Sequence, residues 1–164
     1  MLLKCDLDFL KTIEQDPIRP VELLGDPKRR FEMPFEVYAL VEKQGFGTAT
    51  NAVACIAHAW FIPETEDDLM EIAHAGSGSG CALAGAAEGG DIVVPYSLWS
   101  NKKGCGTLMI NALLHKFKDA GKIITMSPKT EMAQKFHESN GAFLLQSNEE
   151  SNNFEYPRNS GDCA

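Results

Sequence analysis

Ser100 to Met109 reads SNKKGCGTLM, with Lys102 and Lys103 beside Gly104 and Gly106 and an apolar run directly after them. Those residue types, at that spacing, suit an anion. The first turn of a helix leaves backbone N–H groups without partners and carries a partial positive charge. Glycines there let a phosphate approach the N–H groups closely, and lysines add charge beside it. The other reading is a plain tight turn into a helix with solvated lysines. No Gly-Lys-Ser/Thr follows, so the loop is not a P-loop. Met109 fills the third glycine position of a dinucleotide fingerprint, so it is not that either.

A loop of this kind needs a strand before it and a helix after it, and the pattern supplies both. DIVVPYSLW reads as the strand, with Pro95 marking a bulge or an unpaired edge because proline lacks a ladder donor. In TLMINALLHKFKDAG, Ile110, Leu113, Leu114 and Phe117 fall on one helical face, and Gly121 ends the helix. Upstream, CDLDFLKTIEQ predicts a helix capped by Asp6. The proline-broken DPIRPVELLGDPKRRFEMP reads as irregular. FEVYALVE and the apolar NAVACIAHAWF are strands. Thr65 and Asp68 form a capping box ahead of a short helix, and the glycine-rich SGSGCALAGAAEGG carries no assignment. Downstream, KIITMS is a strand. SPKTEMAQKFHESNG is a helix with Ser127 as cap, Pro128 at its first position and Asn140-Gly141 at its end. AFLLQS and NNFEYP are two short strands. The order predicts one α/β or α+β layered domain over residues 1–164.

Bulk properties narrow the function. The net charge is −8, which argues against a nucleic-acid or anionic-membrane partner. There is no 18-residue apolar stretch, and the N-terminus meets charge too early for a signal peptide. The five cysteines are widely spaced with no CxxC pair, so no metal site or disulfide frame is expected, and a reducing, cytoplasmic setting fits. Charge is uneven. Glu64 to Asp91 holds seven acids and no Lys or Arg, while Lys102 to Lys135 holds seven lysines against Asp119 and Glu131. Either these are ordinary solvated faces, or the basic segment meets an anionic cofactor and the acidic one a cationic substrate.

Asn101-Lys-Lys-Gly104-Cys-Gly106 resembles the acyl-CoA pyrophosphate motif of the GNAT superfamily of N-acetyltransferases, Gln/Arg-x-x-Gly-x-Gly/Ala, which also joins a strand to a helix. AQKFHESNGAF resembles that family's late motif, Ala-x-x-Leu-Tyr-x-x-x-Gly-Phe, with Ala133, Phe136, His137 and Gly141 in matching places. The likeness covers residues 90–156 well, 36–61 as two strands, and the first 35 hardly at all. The SPKTEMA–FH–NGA stretch is also similar to small acetyltransferase-like proteins of tailed phages of marine bacteria. Asn101 replaces the family's Gln or Arg, Thr130 stands where many members have Asn, and His137 stands where many have Tyr. Residues 62–90 are longer than in a minimal member.

The resemblance implies a mixed, mostly antiparallel sheet of six to seven strands with helices on both faces. It implies acetyl transfer from acetyl-CoA to a primary amine by direct attack, with no metal. Asn101, Lys102, Lys103, Gly104, Cys105, Gly106, Thr107 and Thr130 would hold the cofactor, together with Tyr96, Ser97 and Leu98 on the splayed fourth strand. Which of those three donates stays open, because a one-residue slip reverses the strand's faces. The leaving thiolate can take a proton from a general acid, and His137 occupies the position for it. The other reading of His137 is a helix-end histidine favoured by the dipole. Asp91 heads the strand near where some members carry a carboxylate base; otherwise it is a solvated residue. His58, within a strand pattern, reads as a core histidine. The alternative function is a non-catalytic acyl-CoA-binding regulator or partner-binding protein on the same fold. A homodimer is compatible with either.

Overall fold

The structure is a computed structural model and describes residues 1–10, 12, 34–77 and 91–157. Its elements run β1 (Leu2–Lys4), α1 (Leu7–Leu10), β2 (Phe35–Gln44), β3 (Gly47–Ala59), α2 (Glu66–Ser77), β4 (Ile92–Ser100) and α3 (Cys105–Lys116). They continue with β5 (Lys122–Ile123), β6 (Ser127–Pro128), α4 (Glu131–Ser139), β7 (Phe143–Ser147) and β8 (Ser151–Glu155). Five strands form one sheet in the order β1-β2-β3-β4-β5, and three form another in the order β6-β8-β7. All pairings are antiparallel except β4 with β5. A bridge between Ile124 and Glu155 links the sheets. The expected mixed, mostly antiparallel arrangement with helices on both faces is therefore present; the described residues hold eight strands divided between two sheets, rather than six or seven in one.

Local signals set the helix ends. Asp6 accepts the Phe9 N–H at 2.8 Å and starts α1. Thr65 and Asp68 cap α2 reciprocally: the Asp68 N–H donates to Thr65 Oγ1 and the Thr65 N–H to Asp68 Oδ2, both at 3.2 Å. The C-terminus of α4 stops at Asn140, with Gly141 at φ 99°, the left-handed region that glycine enters without strain. The irregular 16–33 stretch and the glycine-rich 78–90 stretch lie outside the described residues.

Apolar residues of alternating strand positions bury on two faces. Val37, Val53, Cys55, Val94 and Tyr96 pack with Leu69 and Ile72 of α2. Ala54, Ile56 and Val93 pack with Met109, Ile110 and Leu113 of α3, and with Phe154 and Tyr156. Among the described residues no helix is long and apolar enough to cross a membrane.

Residues 127 and 128 depart from the expected helix. Ser127 pairs with Asn152 and Pro128 with Ser151 as strand β6. The cap of α4 is instead Thr130, whose Oγ1 accepts the Ala133 N–H at 3.1 Å. Ser-Pro has the composition of a helix start, but pairing with β8 claims those two residues first.

Candidate functional site

The expected strand KIITMS divides, and that division makes the site. Ile124 N–H still donates to Val93 O at 3.0 Å, and Met126 N–H reaches Pro95 O at 3.3 Å. Thr125 N–H bonds Phe154 O at 2.8 Å on the other side, and from Ser127 onward the chain pairs with β8. Beyond Pro95, β4 thus has a partner on its β3 side and an open edge on the other. Pro95 also sits at a register break: Ile56 pairs with Pro95 and Cys55 with Ser97, so Tyr96 is an extra, bulged residue.

The register fixes which backbone groups face the opening. Asn101 N–H donates to Asn51 O at 2.8 Å, and the pairs Trp99/Val53 and Ser97/Cys55 follow at steps of two. Bonded pairs alternate with non-bonded ones in an antiparallel ladder. The N–H and C=O of Leu98 and Ser100 therefore point away from β3, into the space between β4 and β6. A cavity of about 440 Å³ occupies that space, within the size range of small-molecule sites. Its walls include Tyr96, Ser97, Leu98, Gly106, Ser127 and His137, with Thr130 and Phe136 of the α4 segment.

The glycine loop lies at one end of this cavity. Gly104 is the N-cap of α3 at φ 85°, and no side chain caps that helix. The first intrahelical bond is Leu108 N–H to Gly104 O, so the amides of Gly106 and Thr107 point outward from the first turn. The flanking side chains are otherwise engaged. Asn101 Nδ2 donates to Thr50 O at 3.2 Å, and Lys102 Nζ pairs with Glu42 at 3.2 Å, both partners well exposed. Lys103 and Thr107 are exposed and Cys105 is buried. Gly106 is small for a packing reason rather than for anion approach alone. A Cβ there would sit 3.0 and 3.3 Å from two Phe136 ring atoms.

His137 lies in the cavity wall, 7% exposed, with both ring nitrogens occupied. Nδ1 is 2.7 Å from the Tyr156 hydroxyl and Nε2 is 3.0 Å from Ser127 Oγ. The Ser127 hydroxyl continues to Thr125 Oγ1 at 2.8 Å. Burial lowers the imidazole pKa from 6.5 to about 4 because desolvation disfavours the charged ring. At neutral pH the ring is therefore uncharged, which does not suit it to act as an imidazolium acid. Ser127, which has the sequence signature of a helix cap, stands in this wall instead.

Two other residues fall outside the cavity. Asp91 accepts the Gly121 N–H at 2.7 Å and ties the start of β4 to the turn before β5. It stands four residues from Pro95, ~13 Å along a strand, and is not brought to the cavity wall. His58 Nε2 lies 2.6 Å from Glu36 Oε1, and Lys4 is 2.7 Å from Glu36 Oε2. Burial alone would raise the Glu36 carboxyl, but the hydrogen bonds and charges of His58 and Lys4 outweigh it and hold it at about 2. That cluster sits under the opposite end of α3, with Phe117 edge-on to His58. Among the described residues no group of His, Cys, Asp and Glu is arranged to hold a metal ion.

No family model and no curated protein matches the sequence. Solved structures do match the fold. AtaTR bound with acetyl-CoA is 11% identical with a TM-score of 0.58, over 99% of this chain and 96% of that one. The KacTA–DNA complex is 14% identical with a TM-score of 0.57, over 99% and 96%. The ribosomal-protein-S18-alanine N-acetyltransferase of Escherichia coli is 9% identical with a TM-score of 0.51, over 94% and 89%. The chain also spans 38% of malonyl-CoA decarboxylase from Agrobacterium vitis, at 16% identity and a TM-score of 0.55. One of these structures is a DNA complex, so the fold does not by itself exclude a nucleic-acid partner. With its bulged β4, an uncapped helix after the glycine loop and these structural neighbours, the chain has a GNAT-like fold.

Proposed function

We propose that this protein transfers an acetyl group from acetyl-CoA to a primary amine. The observation that carries the reading is the opening beside β4. The outward N–H and C=O of Leu98 and Ser100 face a 440 Å³ cavity, and an uncapped helix N-terminus borders it. An extended amide-bearing arm can pair with the free strand edge, as a further strand would. A diphosphate suits the amides of Gly106 and Thr107. Acetyl-CoA supplies the activated acyl carbon, and the outward Leu98 N–H can hold its carbonyl oxygen. The acids of the first α2 turn, Glu66 and Asp67, have the sign that favours a cationic amine. Asp68 is already used in capping. Binding without turnover is the second reading, favoured by the doubly hydrogen-bonded, uncharged His137.

Acetyl-CoA at ~100 times its Kd should stabilise the fold by about 2.7 kcal/mol, read as a rise in unfolding midpoint. Thr107→Glu tests the seat. A carboxylate in the first turn of α3 favours the helix by about 0.3–1 kcal/mol but repels a diphosphate, so apo stability should hold while the acetyl-CoA shift shrinks. A panel of amines with free thiol as readout then separates turnover from binding. No shift with acetyl-CoA would remove the cofactor reading, and a shift without thiol release would leave only binding.

A further inference from the structure

We propose that Ser127 is the side chain that moves the proton in the transfer, taking it from the attacking nitrogen and delivering it to the departing sulfur. His137 and Thr125 serve as the residues that position it. This rests on the acyl-transfer reading and names the group by which that site works.

The hydrogen count of the buried network points to Ser127. Tyr156 is 1% exposed, and its hydroxyl hydrogen has Nδ1 of His137 as its acceptor among the described residues. A buried O–H that did not donate there would go unsatisfied. Nδ1 is then an acceptor, and the single hydrogen of the neutral ring sits on Nε2, directed at Ser127 Oγ. Ser127 oxygen receives that N–H and sends its own hydrogen to Thr125 Oγ1. Thr125 Oγ1 also accepts the Phe154 N–H at 3.1 Å. The Ser127 hydroxyl can rotate its hydrogen from Thr125 to the cavity, while its oxygen keeps the His137 N–H on one lone pair and has the other free for the hydrogen of the amine. Thr130 Oγ1, also in the wall, is engaged in capping α4.

The step balances without a further reagent. The amine enters as the free base and forms the C–N bond as the C–S bond breaks. The Ser127 oxygen takes the surplus hydrogen from nitrogen while its own hydrogen passes to sulfur. Ser127 ends as the hydroxyl it began as, and the products are an amide and a thiol. No imidazolium is formed, which agrees with a ring kept neutral by burial.

The test uses the full chain with acetyl-CoA and an amine that the parent acetylates. Ser127→Ala should lower kcat by about 10²-fold or more and leave the acetyl-CoA midpoint shift within error. Ser127→Thr, which keeps the hydroxyl, should recover most of the rate. The parental kcat should stay level between pH 5.5 and 8, because a serine hydroxyl does not titrate there. An active parent with an equally active Ser127→Ala overturns the relay and leaves acetyl transfer standing. A fall in kcat with rising pH that disappears in His137→Gln also overturns it, in favour of a histidine acid. If the parent binds acetyl-CoA but releases no thiol with any amine, the transfer reading falls and the relay falls with it.

Discussion

The neutral state of His137 is measurable apart from catalysis. The folded ring holds its proton only below about pH 4, whereas its ordinary value is 6.5. Between those two pH values the unfolded chain binds a proton that the folded chain refuses. Stability therefore rises with pH across the window and falls on acidification through it. At about 1.4 kcal/mol per pH unit, the penalty reaches about 3 kcal/mol near pH 4. The ring is 7% exposed, so solvent screening takes little from that figure.

His137→Gln isolates the effect. Glutamine keeps an oxygen to accept from Tyr156 and an N–H to donate toward Ser127, and it does not titrate. Urea unfolding of parent and variant from pH 4 to pH 7.5 should show the parent losing about 3 kcal/mol more than the variant as pH falls. The remaining histidines and carboxylates are common to both chains and cancel in the difference. A difference that stays flat, or a His137 ring signal that titrates near pH 6.5 by NMR, would refute the burial argument. It would also restore His137 as a source of protons.

Glu36→Gln should remove an acid-sensitive contribution of comparable size. With a carboxyl held at about 2 against 4.5, the stabilisation is complete above pH 4.5. It is lost as pH falls toward 2, and the parent's low-pH unfolding curve should show that slope while the variant's does not. Gly106→Ala should destabilise the apo fold by about 1–3 kcal/mol, because the new methyl meets the Phe136 ring at 3.0 Å. Phe136→Leu in the same chain should recover part of that loss. Strictly additive effects by chemical denaturation would show that the two residues do not meet.

Much of the frame is legible in the residue pattern because local chemistry decides it. The capping box at Thr65 and Asp68, the glycine stop at 141 and the proline that breaks β4 depend on neighbours a few residues away. The features that the pattern does not show depend on distant partners. Ser127-Pro128 has the signature of a helix start, yet Ser151 and Asn152 capture it as a strand. The sign of Lys102 is plain in the sequence, but its engagement comes from Glu42, sixty residues earlier, at the end of the β2–β3 hairpin. Asp91 has the right type for a base, and only the turn at Gly121 shows what holds it. The late motif brings His137 to the site. Its uncharged state comes from burial, which no spacing encodes.

One change of partner links the open strand edge to the proton network. Had residues 127 and 128 stayed beside β4, the N–H and C=O of Leu98 would have been paired within the sheet. Pro95 cannot donate in such a ladder, and the bulge at Tyr96 shifts the register of residues 97–100, so β4 is a poor partner past that point. Ser127 and Pro128 pair with Asn152 and Ser151 of β8 instead, and Thr125 bonds Phe154 on that same side. Alternate residues of a strand share a face, so the Thr125 and Ser127 hydroxyls lie side by side, 2.8 Å apart. Tyr156, one residue past β8, reaches His137 from the same side. The switch that frees β4 for a ligand therefore also aligns the hydroxyl–imidazole–phenol chain along the opposite wall of the cavity. A variant that restores a donor at position 95 would test that link. Pro95→Val should favour longer β4–β5 pairing, narrow the cavity and weaken the acetyl-CoA midpoint shift without lowering apo stability. An unchanged shift, with the amide of the substituted residue exchanging freely with solvent, would show that Pro95 is not what keeps the strands apart.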